Sequence, residues 1–370
     1  MISAPPFYSV HLSTAKSWRG GENQLLLLAQ GLIARGQKAL VVAPRGAPLL
    51  ERCQAAAVPC IGLRIAGEVD PLATLKLISL LRKERPQIFH LHDGHAVLHG
   101  QLAGRALPRR LCRVVAHRRT VFKLKGRWKY TGRIDRVIAI SRAVESELLA
   151  AGVPKDNVRV VHSGVDFPEV SANSRAEWRT KLQIPGGDLL AVHAAALSKE
   201  KRQCDLIAAI CAANEKLKSN GGPRVHLALA GSGAEDETLR AEVAQRGVAD
   251  TVHFAGFLQD VPPFLAAGDL AVYASEAEGL CTALVQAQAA GLPAIVTRAG
   301  GMPEVVEDGR TGYVAPVGEP AAFAERIAAL AADADLRREL GRAGAQRARA
   351  LFSSEAMIGG VLGVYQEFEF

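Results

Sequence analysis

Short apolar runs alternate with longer helix-forming segments, and the alternation is interrupted once near the middle of the chain. Phe7–Leu12, Ala39–Ala43, Ile88–His92, Arg113–His117, Val137–Ser141 and Val158–His162 read as strands. Ser13–Gly21 reads as a small, polar loop. Glu22–Arg35 reads as a helix closed by Gly36, a residue suited to a C-terminal cap. Ala143–Ala151 is a further helix, stopped by Gly152 and Pro154. Apolar strands alternating with helices predict a parallel, doubly wound sheet.

Residues 167–187 break this rhythm with two prolines, two adjacent glycines and many polar side chains. The alternation then restarts. Leu189–Ala194, Val225–Ala230, Val252–Ala255, Leu270–Ala274 and Ala294–Thr297 read as strands. Gln203–Lys216, a segment ending at Arg246, Val261–Ala267 and Ala283–Ala290 read as the helices between them. The expectation is an α/β chain of two Rossmann-like doubly wound domains, 1–166 and 167–350, facing each other across a cleft. Residues 351–370 form a last helix whose Met357, Val361, Val364 and Phe368 give it one apolar face to bury.

The length of 370 residues suits two domains. A composition of 49% hydrophobic and 22% charged residues excludes disordered and fibrous classes. Runs such as Leu25–Ala29 and Leu189–Leu197 fall far short of the roughly 18 residues that a membrane span needs. No basic segment followed by an apolar core opens the chain, so no signal peptide is expected. Six scattered cysteines without a C-x-x-C pair suit a reducing compartment and argue against a zinc site or a disulfide framework.

Charge is unevenly divided. Residues 1–165 carry a net +16 and the remainder a net −8. Arg105–Arg136 alone holds twelve basic residues against the single acid Asp135. Such a field concentrates polyanions, either nucleic acid or an anionic membrane surface. The plainer alternative is a solubilising face.

Ligands of doubly wound domains sit at the carboxyl ends of strands. Five candidates lie there. Gly20-Gly21-Glu22 opens the first helix, where backbone N–H groups can approach an anion, although a tight turn explains it nearly as well. His90, His92, His95 and His99 resemble a metal cluster, but no cysteine or second carboxylate completes a ligand set. His117, followed by Arg118-Arg119, can hydrogen-bond a sugar hydroxyl or a phosphate, or be a satisfied structural histidine. Lys199–Arg202 places cations beside a helix N-terminus, where they would neutralise a departing diphosphate; an exposed charged loop is the alternative. Ser275–Ala287 offers Glu278 as a hydroxyl acceptor, backbone N–H groups around Cys281–Ala283, and Gln286 one helical turn further in.

Taken in order, these pieces resemble the retaining GT-B glycosyltransferases of family 4, of the bacterial cell-envelope type. The matching segments are Gly20-Gly21-Glu22, His90-Leu91-His92, Val115–Arg119, Val161–Asp166 and Lys201. They continue through Ala230–Gly233, Phe254–Phe257, Glu278-Gly279-Leu280, Ala290–Pro293 and Gly300–Glu304. The resemblance implies roles. His117 touches the transferred sugar, Lys201 holds the phosphates, and Glu278 contacts the sugar, the three forming the catalytic set. Gly20, Gly21, Arg202, Gly231, Gly233, Gly279, Leu280, Cys281, Thr282 and Ala283 bind the donor. Phe257 and Leu258 flank its base. Gln286 stands where the family's second glutamate would contact the ribose, and Ala196 stands where a phosphate-binding arginine is usual. Arg202 or Arg118 can substitute for that arginine. The last helix crosses back onto the first domain, which binds the acceptor, while the second binds the nucleotide sugar.

The implied reaction moves a hexose from a UDP- or GDP-sugar to a hydroxyl of a lipid-linked or lipopolysaccharide-type acceptor. It uses no metal and no cofactor beyond the nucleotide-sugar co-substrate. A cytoplasmic protein, peripheral at the inner face of the cytoplasmic membrane, follows from Arg118, Arg119, Lys123, Lys125, Arg127, Trp128 and Lys129, with Phe122, Leu124 and Tyr130 interleaved. Lipid, not nucleic acid, is the expected partner. The competing readings are a GT-B epimerase or a noncatalytic nucleotide-sugar or polyanion-binding protein.

Overall fold

A computed structural model describes residues 7–67, 70–124 and 126–369. The chain divides into two compact units, Met1–Gly164 with Ser354–Phe370, and Val165–Ser353.

The first unit is built on a seven-stranded parallel sheet. Its strands are β1 (Tyr8–Leu12), β2 (Lys38–Pro44), β3 (Cys60–Leu63), β4 (Ile88–Leu91), β5 (Arg113–Arg118), β6 (Arg136–Ala139) and β7 (Val158–Val160). Their spatial order is β3-β2-β1-β4-β5-β6-β7, so the direction of winding reverses between β1 and β4. The helices Gly20–Ala34, Pro48–Ala55, Pro71–Glu84, Gly94–Arg105 and Arg142–Ala150 make the crossovers. Strands covered on both faces need side chains that are apolar throughout. Val10, Val41, Val42, Ile88, Phe89, Val114 and Val115 are accordingly all fully buried.

The second unit repeats the plan with six parallel strands. These are β8 (Leu189–Ala194), β9 (Val225–Ala230), β10 (Val252–Gly256), β11 (Leu270–Tyr273), β12 (Ala294–Thr297) and β13 (Gly312–Ala315), in the order β10-β9-β8-β11-β12-β13. Here the winding reverses between β8 and β11. The helices Gln203–Ser219 and Pro320–Ala332 close one face through Leu206, Ile207, Ile210, Phe323 and Ile327.

β3 and β13 carry weak sequence signals. Each is a four-residue edge strand containing a glycine, Gly62 or Gly312. The edge position explains this, since such a strand is paired on one side only.

The last helix, Ser354–Gln366, returns to the first unit. Met357, Ile358, Val361, Val364 and Tyr365 join the cluster formed by Phe7, Leu25, Leu28 and Leu32. Gly31 permits the contact, because a Cβ there would lie 2.1 Å from the Ile358 side chain. Phe368 lies beyond the helix end, contrary to the sequence reading. It is half-buried between the guanidinium groups of Arg113 and Arg136, at 5.5 and 5.4 Å. Glu367 pairs with Arg136 at 2.8 Å and Arg159 at 2.7 Å.

Candidate functional site

Loops leaving adjacent strands diverge where the winding reverses, and that crevice is where ligands of doubly wound sheets bind. In the second unit the crevice lies beyond β8 and β11. After β8 the chain makes a tight turn, Lys199–Lys201, passes Arg202 at a φ of 50°, and enters Gln203–Ser219. After β11 it runs through Ser275–Leu280 to Cys281 at a φ of 71°, then into the helix Thr282–Ala289. The two loops are stitched by Glu276 N–H donating to Glu200 C=O at 2.9 Å. Lys201 Nζ donates to Glu278 Oε2. Both side chains are largely buried, at 17% and 16% exposure. Burial pulls the Lys201 ammonium down, but Glu278 and the nearby Cys281 outweigh it and hold it above its ordinary value. The lysine is therefore a fixed cation at a helix-entry loop.

Glycines hold this arrangement for reasons internal to the fold. Gly300, at a φ of 52°, accepts Glu278 C=O against its backbone, where a Cβ would come within 1.7 Å. Gly231 and Gly233 lie equally close to Ala195 and Leu197 C=O. The Leu280 side chain is buried, so only its backbone can meet a ligand. Cys281, Thr282, Ala283 and Gln286 are half-buried, and burial pushes the Cys281 thiol up to about 12. Phe257 is 74% exposed just past β10, with Leu258 half-buried beside it. Three side chains absent from the sequence-derived set belong to the same neighbourhood. His193 ends β8, bonded to Val272 C=O at 2.8 Å, with Tyr273 against its ring at 4.9 Å. The Tyr273 and Ser275 hydroxyls are buried without a partner.

In the first unit the crevice lies beyond β1 and β4, and four histidines crowd it. His11 is paired in register with His90. His11 Nδ1 lies 3.0 Å from His92 Nε2, and its Nε2 lies 2.9 Å from Ser9 Oγ. His90 stacks on His117, with centroids 4.7 Å apart and planes 9° from parallel. All four are buried. Burial holds His11 down at about 3 and keeps His90, His92 and His117 well below the usual imidazole range. They are neutral at physiological pH. The signal for His11 was available, because it ends β1 much as His90 ends β4.

His95 and His99 do not join His90 and His92, in keeping with the incomplete ligand set read from the sequence. His95 is exposed, and His99 is bonded elsewhere, to Thr74 at 3.0 Å. Among the described residues His11, His90 and His92 instead offer one nitrogen each within 4.8 Å of one another. A cation there would have to displace the bond of His11 to Ser9 or that between His11 and His92. It would also lie beside the Arg119 guanidinium, whose Nη2 is 3.5 Å from His92.

Gly20 and Gly21 begin the fifteen-residue helix Gly20–Ala34. A Cβ on Gly20 would touch nothing, and one on Gly21 only Arg119, at 3.7 Å. Neither glycine is required by packing, so the helix N-terminus is open to close approach. Glu22 accepts from Arg19 N–H at 2.9 Å, and burial raises its carboxyl. Asp93, which was not among the predicted site residues, caps Gly94–Arg105 and clamps Thr14 N–H and Oγ1, both at 2.6 Å. A cavity of about 480 Å³ opens here, lined by Thr14, Lys16, Ile65, Asp93 and His95.

Comparison with known proteins decides what carries these two crevices. Residues 18–168 match the model described as Glycosyltransferase Family 4, and residues 174–347 match Glycosyl transferases group 1. The chain belongs to the family 4 glycosyltransferases. N-acetyl-alpha-D-glucosaminyl L-malate synthase of Bacillus anthracis is 27% identical over 63% of this chain and 60% of its own length. D-inositol 3-phosphate glycosyltransferase of Acidothermus cellulolyticus is 32% identical over 64% of this chain and 55% of its own. The alignments thus span about half to three fifths of these relatives. Anabaena Alr3699/HepE, crystallised with UDP, shares the fold with a TM-score of 0.86 at 21% identity, over 98% of this chain and all of that one.

The structure adds to the reading of Arg202 and corrects that of the basic, aromatic stretch. Arg202 is oriented by Asp205 at 2.6 Å and Glu276 at 3.4 Å, which take three of its five N–H donors. The interleaved stretch is only partly a surface. Phe122 and Trp128 are exposed, as are Lys123 and Arg127, with Lys129 half-buried. Tyr130, however, is a core side chain at 1% exposure, under Arg118 at 5.8 Å. Arg118 itself donates to Phe122 C=O at 2.5 Å. Arg119 turns inward toward His92, and burial lowers it to about 10. Lys125 lies outside the described residues. Arg133 is buried on Asp135 at 2.7 Å, so it adds nothing to the surface field.

Proposed function

We propose that this protein is a retaining glycosyltransferase that moves a hexose from a nucleoside-diphosphate sugar to a hydroxyl of an envelope-type, lipid-linked or polysaccharide acceptor. The Lys201–Glu278 pair at the β8/β11 crevice carries the reading. A fixed cation there can take the charge that develops on a departing diphosphate, and Glu278 can accept from sugar hydroxyls. In the same unit the N-terminus of the helix at Thr282 adds oriented N–H groups. A neutral His117 hydrogen-bonds a sugar hydroxyl without adding charge. The departing phosphate takes the acceptor's proton, and protein cations serve where other transferases use a metal ion. Exposed Phe257 offers a face to the base. UDP is the favoured nucleotide, because solved structures of the same fold hold UDP and UDP-glucose. An envelope acceptor is favoured by the 36% identity, over 36% of this chain, to the lipopolysaccharide core glycosyltransferase LpsE of Rhizobium meliloti.

The test is nucleoside-diphosphate release from a panel of UDP- and GDP-sugars, with the anomeric configuration of any product read by NMR, in wild type and His117→Ala. The reading expects release from at least one donor, a retained anomeric centre, and a large loss in the variant. Binding without release from any donor would instead support the noncatalytic alternative.

A further inference from the structure

The C-terminal helix brings a tyrosine into the interior of the first unit and sets its hydroxyl on a histidine. Tyr365 is fully buried, edge-on to Phe7 at 5.5 Å and to His90 at 5.7 Å. Its Oη lies 2.5 Å from His90 Nδ1. The surroundings are apolar, with Met357, Ile358, Val361 and Val364 in the same cluster. A phenylalanine would fill this space and spare the desolvation of a hydroxyl. The hydroxyl serves His90.

The effect of that bond extends past His90. A neutral imidazole carries one N–H and one lone pair. His90 Nε2 is buried without a partner, so Tyr365 is the hydrogen-bond partner that fixes the plane of the ring, its hydroxyl able either to donate to Nδ1 or to accept from it. Burial keeps this pair uncharged, holding His90 well below and Tyr365 well above their ordinary values. The His117 ring lies on that fixed plate, 4.7 Å away and nearly parallel. His117 Nδ1 is also buried without a partner, so stacking against His90, and contact with His92 at 5.4 Å, orient the ring.

We propose that Tyr365 is a positioning residue for His117, acting through the ring plane of His90. The inference rests on the reading of His117 as a sugar-contacting side chain. It makes the helix that closes the first unit part of the machinery that aims that histidine.

Tyr365→Phe removes one oxygen and keeps the ring. The expected variant is folded and keeps the donor KM within about twofold. Its kcat falls about tenfold, the ratio that one net hydrogen bond of ordinary strength is worth. In ring ¹⁵N spectra the His90 and His117 signals move, while those of His193 and His226 in the second unit stay. In a His90→Phe background, which keeps a stacking plate but cannot take the bond, Tyr365→Phe should cause no further loss of kcat. A folded Tyr365→Phe enzyme with wild-type kcat and unmoved His117 signals overturns the proposal. His117→Ala separates the two levels of the argument. If that variant keeps full turnover, the functional reading fails. If it loses turnover while Tyr365→Phe does not, only this inference fails.

Discussion

At the scale of single residues, the proposed chemistry rests on charges fixed before a ligand arrives. Glu278 is held on both sides, by Lys201 and by a backbone contact that only Gly300 permits. Changing Glu278 to Gln preserves the shape but removes the charge that keeps the Lys201 ammonium high. Donor KM should rise by about tenfold or more, the value of a charge-assisted bond, with little change in melting temperature. Unaltered donor kinetics in that variant would remove Glu278 from the site. Gly300→Ala should do more damage, because the backbone at Glu278 must shift to admit a Cβ that would otherwise lie 1.7 Å from its carbonyl. The expected result is a drop in both stability and turnover.

At the scale of elements, the buried histidines of the two sheets set a pH dependence. His11 titrates at about 3 and His193 at about 4 when folded, against an ordinary value of 6.5. Between those limits the unfolded chain binds protons that the folded chain refuses. Stability therefore falls as pH falls below about 6.5, by about 1.4 kcal/mol per pH unit for each such histidine. His90, His92 and His117 act in the same direction. Urea midpoints at pH 7.5, 6.5 and 5.5 read this directly, and a flat profile would contradict it.

The same elements show what the sequence could and could not disclose. The loops after β8 and β11 were legible because their candidate residues are local: Lys201 and Glu278 each sit between a clear apolar strand and a clear helix. The histidine cluster was legible only in part. His90 and His92 announce themselves by spacing, but His11 and Tyr365 reach them through strand order and helix return, which span 79 and 275 residues of chain. Tyr130 and Arg133 misled for a related reason. Within a basic, aromatic stretch nothing local marks which side chains turn inward, and burial was decided by Asp135, Gly104 and Cys112.

At the scale of the whole molecule, the net +16 of residues 1–165 remains the largest unexplained asymmetry once Arg119 and Arg133 are set aside as interior groups. No helix among the described residues is long and apolar enough to cross a membrane. Exposed Phe122 and Trp128 beside Lys123, Arg127 and Lys129 suit a lipid headgroup layer. Each cation near such a surface contributes roughly 1 kcal/mol. Sedimentation with anionic vesicles should show binding that weakens with salt and drops when Lys123, Arg127 and Lys129 are changed to Ser. Equal binding to neutral vesicles would sink the claim.

The proposed reaction depends on a preorganised cation, in place of a metal, at the departing diphosphate. Its most direct test is steady-state nucleoside-diphosphate release by wild type and Lys201→Ala, each with and without EDTA. The predicted result is wild-type turnover indifferent to chelation and a variant slowed by about 10² or more, the value of one preorganised charge contact. Equal turnover by the two proteins, or wild-type activity abolished by EDTA and restored by a divalent ion, would contradict it.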